Sequence, residues 1–453
     1  MPRLPWTKFQ DFYLRLGFLK VLMAVLNPQR RSARNEAIIP RLEMPLFEAA
    51  RAHPVLWRWV EPRMYWYDAG SMESEKPSVA EALLVAGNCP SFLFAVTRAT
   101  AYKVLDWGHN LELAGRANQI TERGILLRHL LPQASSNRFL AGDAMAWNPF
   151  QLETAERLFF LYHLAELDEV TLELIDELGR LPSGTVIEAG DAARLTCHAL
   201  VRVLERIKGE VQPHDIPAYR RARDLATTIA QELDLPDLVG VIGGKGRRTP
   251  KVVRPSARRS AFAAGGRERQ TTKNADHQAI PRFEQLVDLG FLEKDGCDKS
   301  YSELRRRWRY VPTDASRRWV AVRMKIQGTG REFLWNGFAS AAGAAFHLDL
   351  HGESDDPDVV GHYLWRAYET VHRPVGHTPL ESLALFGMLL AVTDGRPVEM
   401  ASFHRLMMAI KRTGVLADRV YFASGNALDK MFVALDNRFL ESLGAVSIRD
   451  LEC

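Results

Sequence analysis

The stretch Arg282-Phe283-Glu284-Gln285-Leu286-Val287-Asp288-Leu289-Gly290-Phe291-Leu292, followed after Asp295-Gly296 by Trp308-Arg309-Tyr310-Val311-Pro312-Thr313-Asp314, decides how the chain is read. Pro281 opens a helix whose apolar residues Phe283, Leu286, Val287 and Leu289 recur at helical spacing. Gly290 stops it and Phe291-Leu292 continue as an extended segment. Asp295-Gly296 is a turn signal, and Trp308 to Val311 reads as a returning strand. Pro312-Thr313-Asp314 then starts another helix. The local order is helix, hairpin, helix.

Working outward, the same order recurs on both sides. Upstream, Pro77-Ser78 and Pro90-Ser91 start two helices, and Gly108-His109-Asn110 ends the second near Trp107. Leu111-Glu112-Leu113, the turn Ala114-Gly115-Arg116-Ala117-Asn118 and Gln119-Ile120 form a hairpin, after which Thr121-Glu122 caps a helix to Leu131. The apolar-Thr-acid junction of Ile120-Thr121-Glu122 parallels Val311-Pro312-Thr313-Asp314. Downstream, Thr378-Pro379-Leu380-Glu381 starts a helix to Val392, and Thr393-Asp394-Gly395 ends it. Glu399 to Arg412 is a second helix with Phe403, Leu406, Met407 and Ile410 inward, closed by Gly414. Val420 to Phe422 and Met431 to Val433 are two strands around a long turn.

A pair of helices followed by a short hairpin resembles the winged helix-turn-helix superfamily. Residues 78–131, 280–320 and 377–435 carry the resemblance, the middle one most closely, through Gly290-Phe291 at the passage from last helix to wing strand. One departure is plain: a basic loop, not a helix-turn, precedes Pro281, so the first two helices of that unit lie before residue 240. Between the units, Leu152, Ala155, Leu158, Phe159, Tyr162, Leu167, Leu174, Ile175 and Leu178 mark a helical stretch over 148–179, its acids Glu153, Glu156, Glu166, Asp168, Glu169, Glu173, Asp176 and Glu177 reading as solvated faces. Helices follow over 191–208 and 216–233. The chain divides into an aromatic- and Arg-rich segment (1–76), a first unit (77–147), a helical region (148–242), a basic loop (243–274), a second unit (275–330) and a C-terminal region (331–453) containing the third unit (377–435).

The 453 residues, 47% hydrophobic and 25% charged, belong to a folded multidomain chain and exclude a disordered or collagen-like one. Cys89, Cys197, Cys297 and Cys453 form no CxxC pair, which argues against a zinc ribbon, a redox motif or a disulfide framework. The apolar run 14–26 is interrupted by Arg15, Gly17 and Lys20 and is too short to span a bilayer, which takes roughly 20 residues. Residues 7–26 read as an amphipathic helix packed on the body, and the expected compartment is the cytoplasm.

The net charge is only +4, but its placement is uneven. Ten Lys or Arg and one acid, Glu268, lie between Lys245 and Lys273, among them Lys245, Arg247, Arg248, Lys251, Arg254, Arg258 and Arg259. Arg305, Arg306, Arg307 and Arg309 follow, with Arg317 and Arg318 nearby and Trp308 and Trp319 interleaved. These are the candidate nucleic-acid contacts, because guanidinium groups take phosphate bidentately and each phosphate contact releases counterions. The alternative is a solvated face or an anchor for acidic helices such as 166–177. His404, Arg405, Lys411 and Arg412 offer a further basic face. The aromatics of 53–67 suit either base stacking or a core wedge. Gly240-Val241-Ile242-Gly243-Gly244-Lys245-Gly246 fails as a phosphate loop: its spacing is one residue short and Gly246 replaces the Ser or Thr. His347, Asp349 and His351 alternate as on one face of a strand and could ligate a metal, with Glu353, Asp355, Asp356, Asp358 and His362 behind. A plain polar loop is the other reading there.

The sequence therefore predicts a mainly α protein with small β-hairpins (α+β), holding two or three winged-helix-like units joined by helical segments. It is expected to bind duplex DNA through backbone contacts, without catalytic residues, metal, cofactor or membrane. A non-catalytic role in a multi-protein DNA-processing or phage-defence system suits such a chain. Two alternatives stand beside it: a winged-helix scaffold for acidic protein partners, and a metal-dependent hydrolase using His347, Asp349 and His351.

Overall fold

The computed structural model describes residues 15–26, 34–53, 98–210, 217–242, 273–295, 309–326, 330–348, 356–372, 377–414, 420–422 and 431–444. Among them the protein is mainly helical, with two small antiparallel sheets. The elements in order are α1 (Leu16–Val25), α2 (Asn35–Ala52), α3 (Arg98–Asn110), α4 (Glu122–Leu130), α5 (Gln133–Leu140), α6 (Thr154–Leu167), α7 (Glu169–Arg180), β1 (Ile187–Glu188), α8 (Ala189–Glu210), α9 (Pro217–Glu232), α10 (Pro236–Ile242), α11 (Lys273–Asp288), β2 (Leu292–Asp295), β3 (Arg309–Pro312), α12 (Asp314–Arg323), α13 (Gly330–Asn336), α14 (Phe338–Ala345), α15 (Pro357–Val371), β4 (Thr378–Pro379), α16 (Leu380–Thr393), α17 (Met400–Thr413), β5 (Val420–Phe422), β6 (Met431–Val433) and α18 (Asn437–Leu443). No described helix is long and apolar enough to cross a membrane.

Both sheets have the same order. β3 lies between β1 and β2, and β6 lies between β4 and β5, all pairs antiparallel. Each sheet belongs to a run of the same sequence of elements: α7-β1-α8, then α11-β2-β3 after the insertion of α9 and α10; and α15-β4-α16-α17-β5-β6. The first two helices of the middle run, α7 and α8, lie before residue 240. The opening strands β1 and β4 are two residues long, below what alternation of side chains can signal. Pro281 is not a helix start: α11 begins eight residues earlier and carries Pro281 inside it.

The helix-to-hairpin junction is built twice from unlike residues. At the end of α11, Gly290 adopts φ +81 and Phe291 N–H bonds Leu286 O at 2.9 Å. At the end of α3, Glu112 adopts φ +56 and Leu113 N–H bonds Gly108 O at 2.8 Å. Each is a left-handed helix stop with the six-residue closing bond. A threonine then ties the return: Thr313 N–H bonds Phe291 O (3.0 Å) and its hydroxyl donates to Gly290 O (2.7 Å). Thr121 N–H bonds Leu113 O (3.1 Å) and its hydroxyl donates to Glu112 O (2.5 Å). In the upstream copy only Ala114 and Ile120 bridge, and the first expected helices of that unit, over 78–97, lie outside the described residues.

One continuous apolar core joins these parts. Every residue of α1 is buried, so it has no polar face over 16–25, contrary to the amphipathic expectation. Its one charge, Lys20, pairs with Glu156 at 2.6 Å and donates to Gln151 O at 2.8 Å. The helical stretch over 148–179 is two helices, broken at Asp168. Gly179 does not end the second. It lets α12 approach, because a Cβ there would overlap Ser316 O.

Candidate nucleic-acid interface

α17 begins after Glu399 in extended backbone and ends on Gly414 at φ +80. Phe403, Leu406, Met407 and Ile410 are buried. His404, Arg405, Lys411 and Arg412 lie on its other side, and the helix contains no acidic residue. Lys411 and Arg412 occupy the last turn, where cations complement the negative end of the helix dipole. Arg396, exposed in the turn after α16, adds a charge that the sequence reading did not single out; its flag was the glycine stop at Gly395, φ +79. Of the two acids of 394–414, Glu399 is buried and Asp394 is exposed but paired. Asp394 accepts from the Tyr363 hydroxyl (3.2 Å) and from Arg366 (2.7 Å). Glu399 accepts from Ala339 N–H and Ser340 N–H, both at 2.9 Å, and from the Ser340 hydroxyl at 2.7 Å.

α11, at the corresponding place in the middle run, is enclosed. Residues 278–286 are all buried. Arg282 meets Asp168 through two hydrogen bonds of 2.6 and 3.0 Å, with both side chains at 0% exposure. It also donates to Gln278 O and Oε1, while Asp168 accepts from the Thr171 hydroxyl. Glu284 takes Lys294 and the Tyr310 hydroxyl, the latter at 2.8 Å. Asp288 takes Arg15 and the Leu16 N–H. Each charge over 278–288 thus has an internal partner, which is how buried charges are tolerated. α3 is covered in turn by α1 and α2.

The sequence-derived contacts are distributed unevenly over this frame. Lys245, Arg247, Arg248, Lys251, Arg254, Arg258, Arg259, Arg305, Arg306 and Arg307 lie outside the described residues. Arg309 is exposed on β3, in register with Glu188 of β1. Arg317 pairs with Asp314 one turn before it. Arg318 donates from Nε to Ala344 O (2.9 Å) and from Nη2 to Ala345 O (2.8 Å), closing the end of α14.

The acids of the central helices are not simply solvated faces. Glu156, Glu166, Asp168 and Asp176 are buried. Glu166 pairs with Arg123 at 2.7 Å, while Glu169, Glu173 and Glu177 of α7 meet Arg202 and Arg206 of α8. Asp176 accepts from Trp319 Nε1 (3.1 Å) and faces Arg323 at 3.9 Å; burial pushes its carboxyl up to about 6. His347 is not on a strand. It follows α14 in left-handed backbone, φ +54, with Leu348 N–H bonding Gly343 O. Asp349 and His351 lie outside the described residues, Asp356 caps α15, and no cluster of three or more His, Cys, Asp or Glu among the described residues is placed to hold a metal.

No family model, no curated protein and no solved structure matches this chain.

Proposed function

We propose that this chain is a tandem winged-helix protein that binds duplex DNA through its phosphate backbone, with α17 of the C-terminal unit making the contact. The shared element order and the shared strand order β1-β3-β2 and β4-β6-β5 support the winged-helix reading. In that architecture the third helix is the element offered to a groove. The observation that carries the choice of unit is the contrast between the two third helices. Residues 278–286 of α11 are all buried and its charges pair internally, whereas α17 carries no acid, Arg412 on it is exposed, and His404, Arg405 and Lys411 are only half-buried. In this reading the chain supplies binding and not chemistry, as part of a larger DNA-handling assembly.

The test is fluorescence anisotropy with labelled duplexes over a range of salt. Replacing Lys411 and Arg412 by Gln removes up to two phosphate contacts, so the log–log salt slope should shallow by about 2. Affinity should fall alike for unrelated sequences, because phosphate contacts position without specifying. Arg412→Gln alone, at an exposed position, should leave the thermal midpoint in place. An unchanged slope and affinity would remove α17 from the interface. The scaffold reading would then lead, favoured by the enclosure of α11, which already uses a third helix for packing.

A further inference from the structure

We infer that α14 is a strut that fixes α17 against the middle unit, and that Glu399 and Arg318 are the positioning residues at its two ends. This rests on the reading of α17 as the nucleic-acid contact. A helix leaves its first N–H groups and last C=O groups without internal partners, and it carries partial positive charge at the first end and negative at the last. α14 is eight residues, Phe-Ala-Ser-Ala-Ala-Gly-Ala-Ala, and has no charged side chain of its own. Both ends are completed from elsewhere in the chain. At the start, the Glu399 carboxylate, 59 to 60 residues away, takes Ala339 N–H, Ser340 N–H and the Ser340 hydroxyl. At the end, the Arg318 guanidinium, 26 to 27 residues away, gives two hydrogen bonds to Ala344 O and Ala345 O. An anion sits at the positive pole and a cation at the negative pole.

The two capping residues come from different elements. Glu399 is the residue immediately before α17 and its side chain is only 7% exposed overall, so it ties the start of that helix rather than solvent. Arg318 lies in α12, which is locked to α7 by Trp319 bonding Asp176 and by the close approach at Gly179. α7, α12 and α14 pack in series, and the Glu399 carboxylate hydrogen-bonds α14 to the residue before α17, a helix that itself packs on α13, α15 and α16. The small residues Ala341, Ala342, Gly343 and Ala345 are buried and let neighbouring helices sit close to α14. A displacement of α17 by DNA is carried to the middle unit through this line, and the orientation of α17 depends on Arg318, which donates to Ala344 O and Ala345 O of α14.

The test uses the full chain with Arg318→Gln, Glu399→Gln and the double variant. Without DNA, amide hydrogen exchange is followed in the first two turns of α17. Glu399→Gln should speed that exchange, and Arg318→Gln should speed it to a similar extent although its own contacts lie at the far end of α14. Arg318→Lys, which keeps a charged donor there, should restore most of the protection. Exchange in α17 that ignores Arg318→Gln overturns the strut. With duplex DNA, each single variant should lose about fivefold in affinity, and the double variant should lose no more than either, because both act through one element. Losses that multiply in the double variant, or no loss at all, also overturn it. A wild-type chain that does not bind DNA would remove the proposed function, and the exchange experiment would still decide the strut.

Discussion

At the scale of single residues, long-range partners decide which charges the fold tolerates. Lys20 interrupts an apolar run and looks like the polar side of a helix, yet its side chain is 1% exposed and paired with Glu156 at 0%. Nothing within reach of a local sequence window announces a partner 136 residues away. Lys20→Met should cost about 3–5 kcal/mol by leaving the Glu156 carboxylate buried without its cation, and Lys20→Met with Glu156→Gln should recover most of that loss in urea unfolding. Asp176 makes a pH-dependent contribution. Its carboxyl is raised to about 6 by burial, with Glu173 adding to the rise, while Arg323, Trp319 and Arg180 oppose it. The folded state therefore holds this proton more tightly than the unfolded chain. The associated stability is fully present below about pH 4 and is lost as pH rises to about 6, up to about 3 kcal/mol. Asp176→Asn should remove that part of the slope from a stability-versus-pH series.

At the scale of elements, the helix stops were legible and the shortest strands were not. Gly290, Gly395 and Gly414 all adopt left-handed backbone where the sequence puts a helix end. Glu112 does the same without being glycine, so the sequence around Leu111 carries no stop signal and resembles a short strand. Gly290→Ala should cost about 1 kcal/mol, the penalty for a Cβ in that region, whereas Glu112→Gly should be neutral or stabilising by thermal unfolding. Gly179 misled in the other direction. It reads as a stop, but its lack of a side chain serves the packing of α7 on α12. Gly179→Ala should cost about 1–3 kcal/mol through overpacking against the Ser316 carbonyl. Pro281 is a parallel case: a residue that favours helix starts sits inside α11, where tertiary packing outweighs local preference.

At the scale of the whole molecule, hydrophobic spacing conveyed a mainly α chain with small hairpins. That α11 is enclosed over 278–286 while α17 keeps Arg412 exposed was not legible, because the two helices have similar apolar patterns. The difference lies in where their charges go: Arg282, Glu284 and Asp288 find partners on α1, β2, β3 and the residue before α7, while Glu399 turns from α17 to α14. Arg318, read from its neighbours as a phosphate contact, is a helix cap for the same kind of reason. In the proposed function α17, and not α11, meets nucleic acid. The most direct measurement is amide hydrogen exchange of the full chain with and without saturating duplex DNA. Slowed exchange concentrated over 400–413 is expected, with 278–286 unchanged because it is already enclosed. DNA binding that leaves 400–413 untouched, or that alters 278–286 instead, would contradict it.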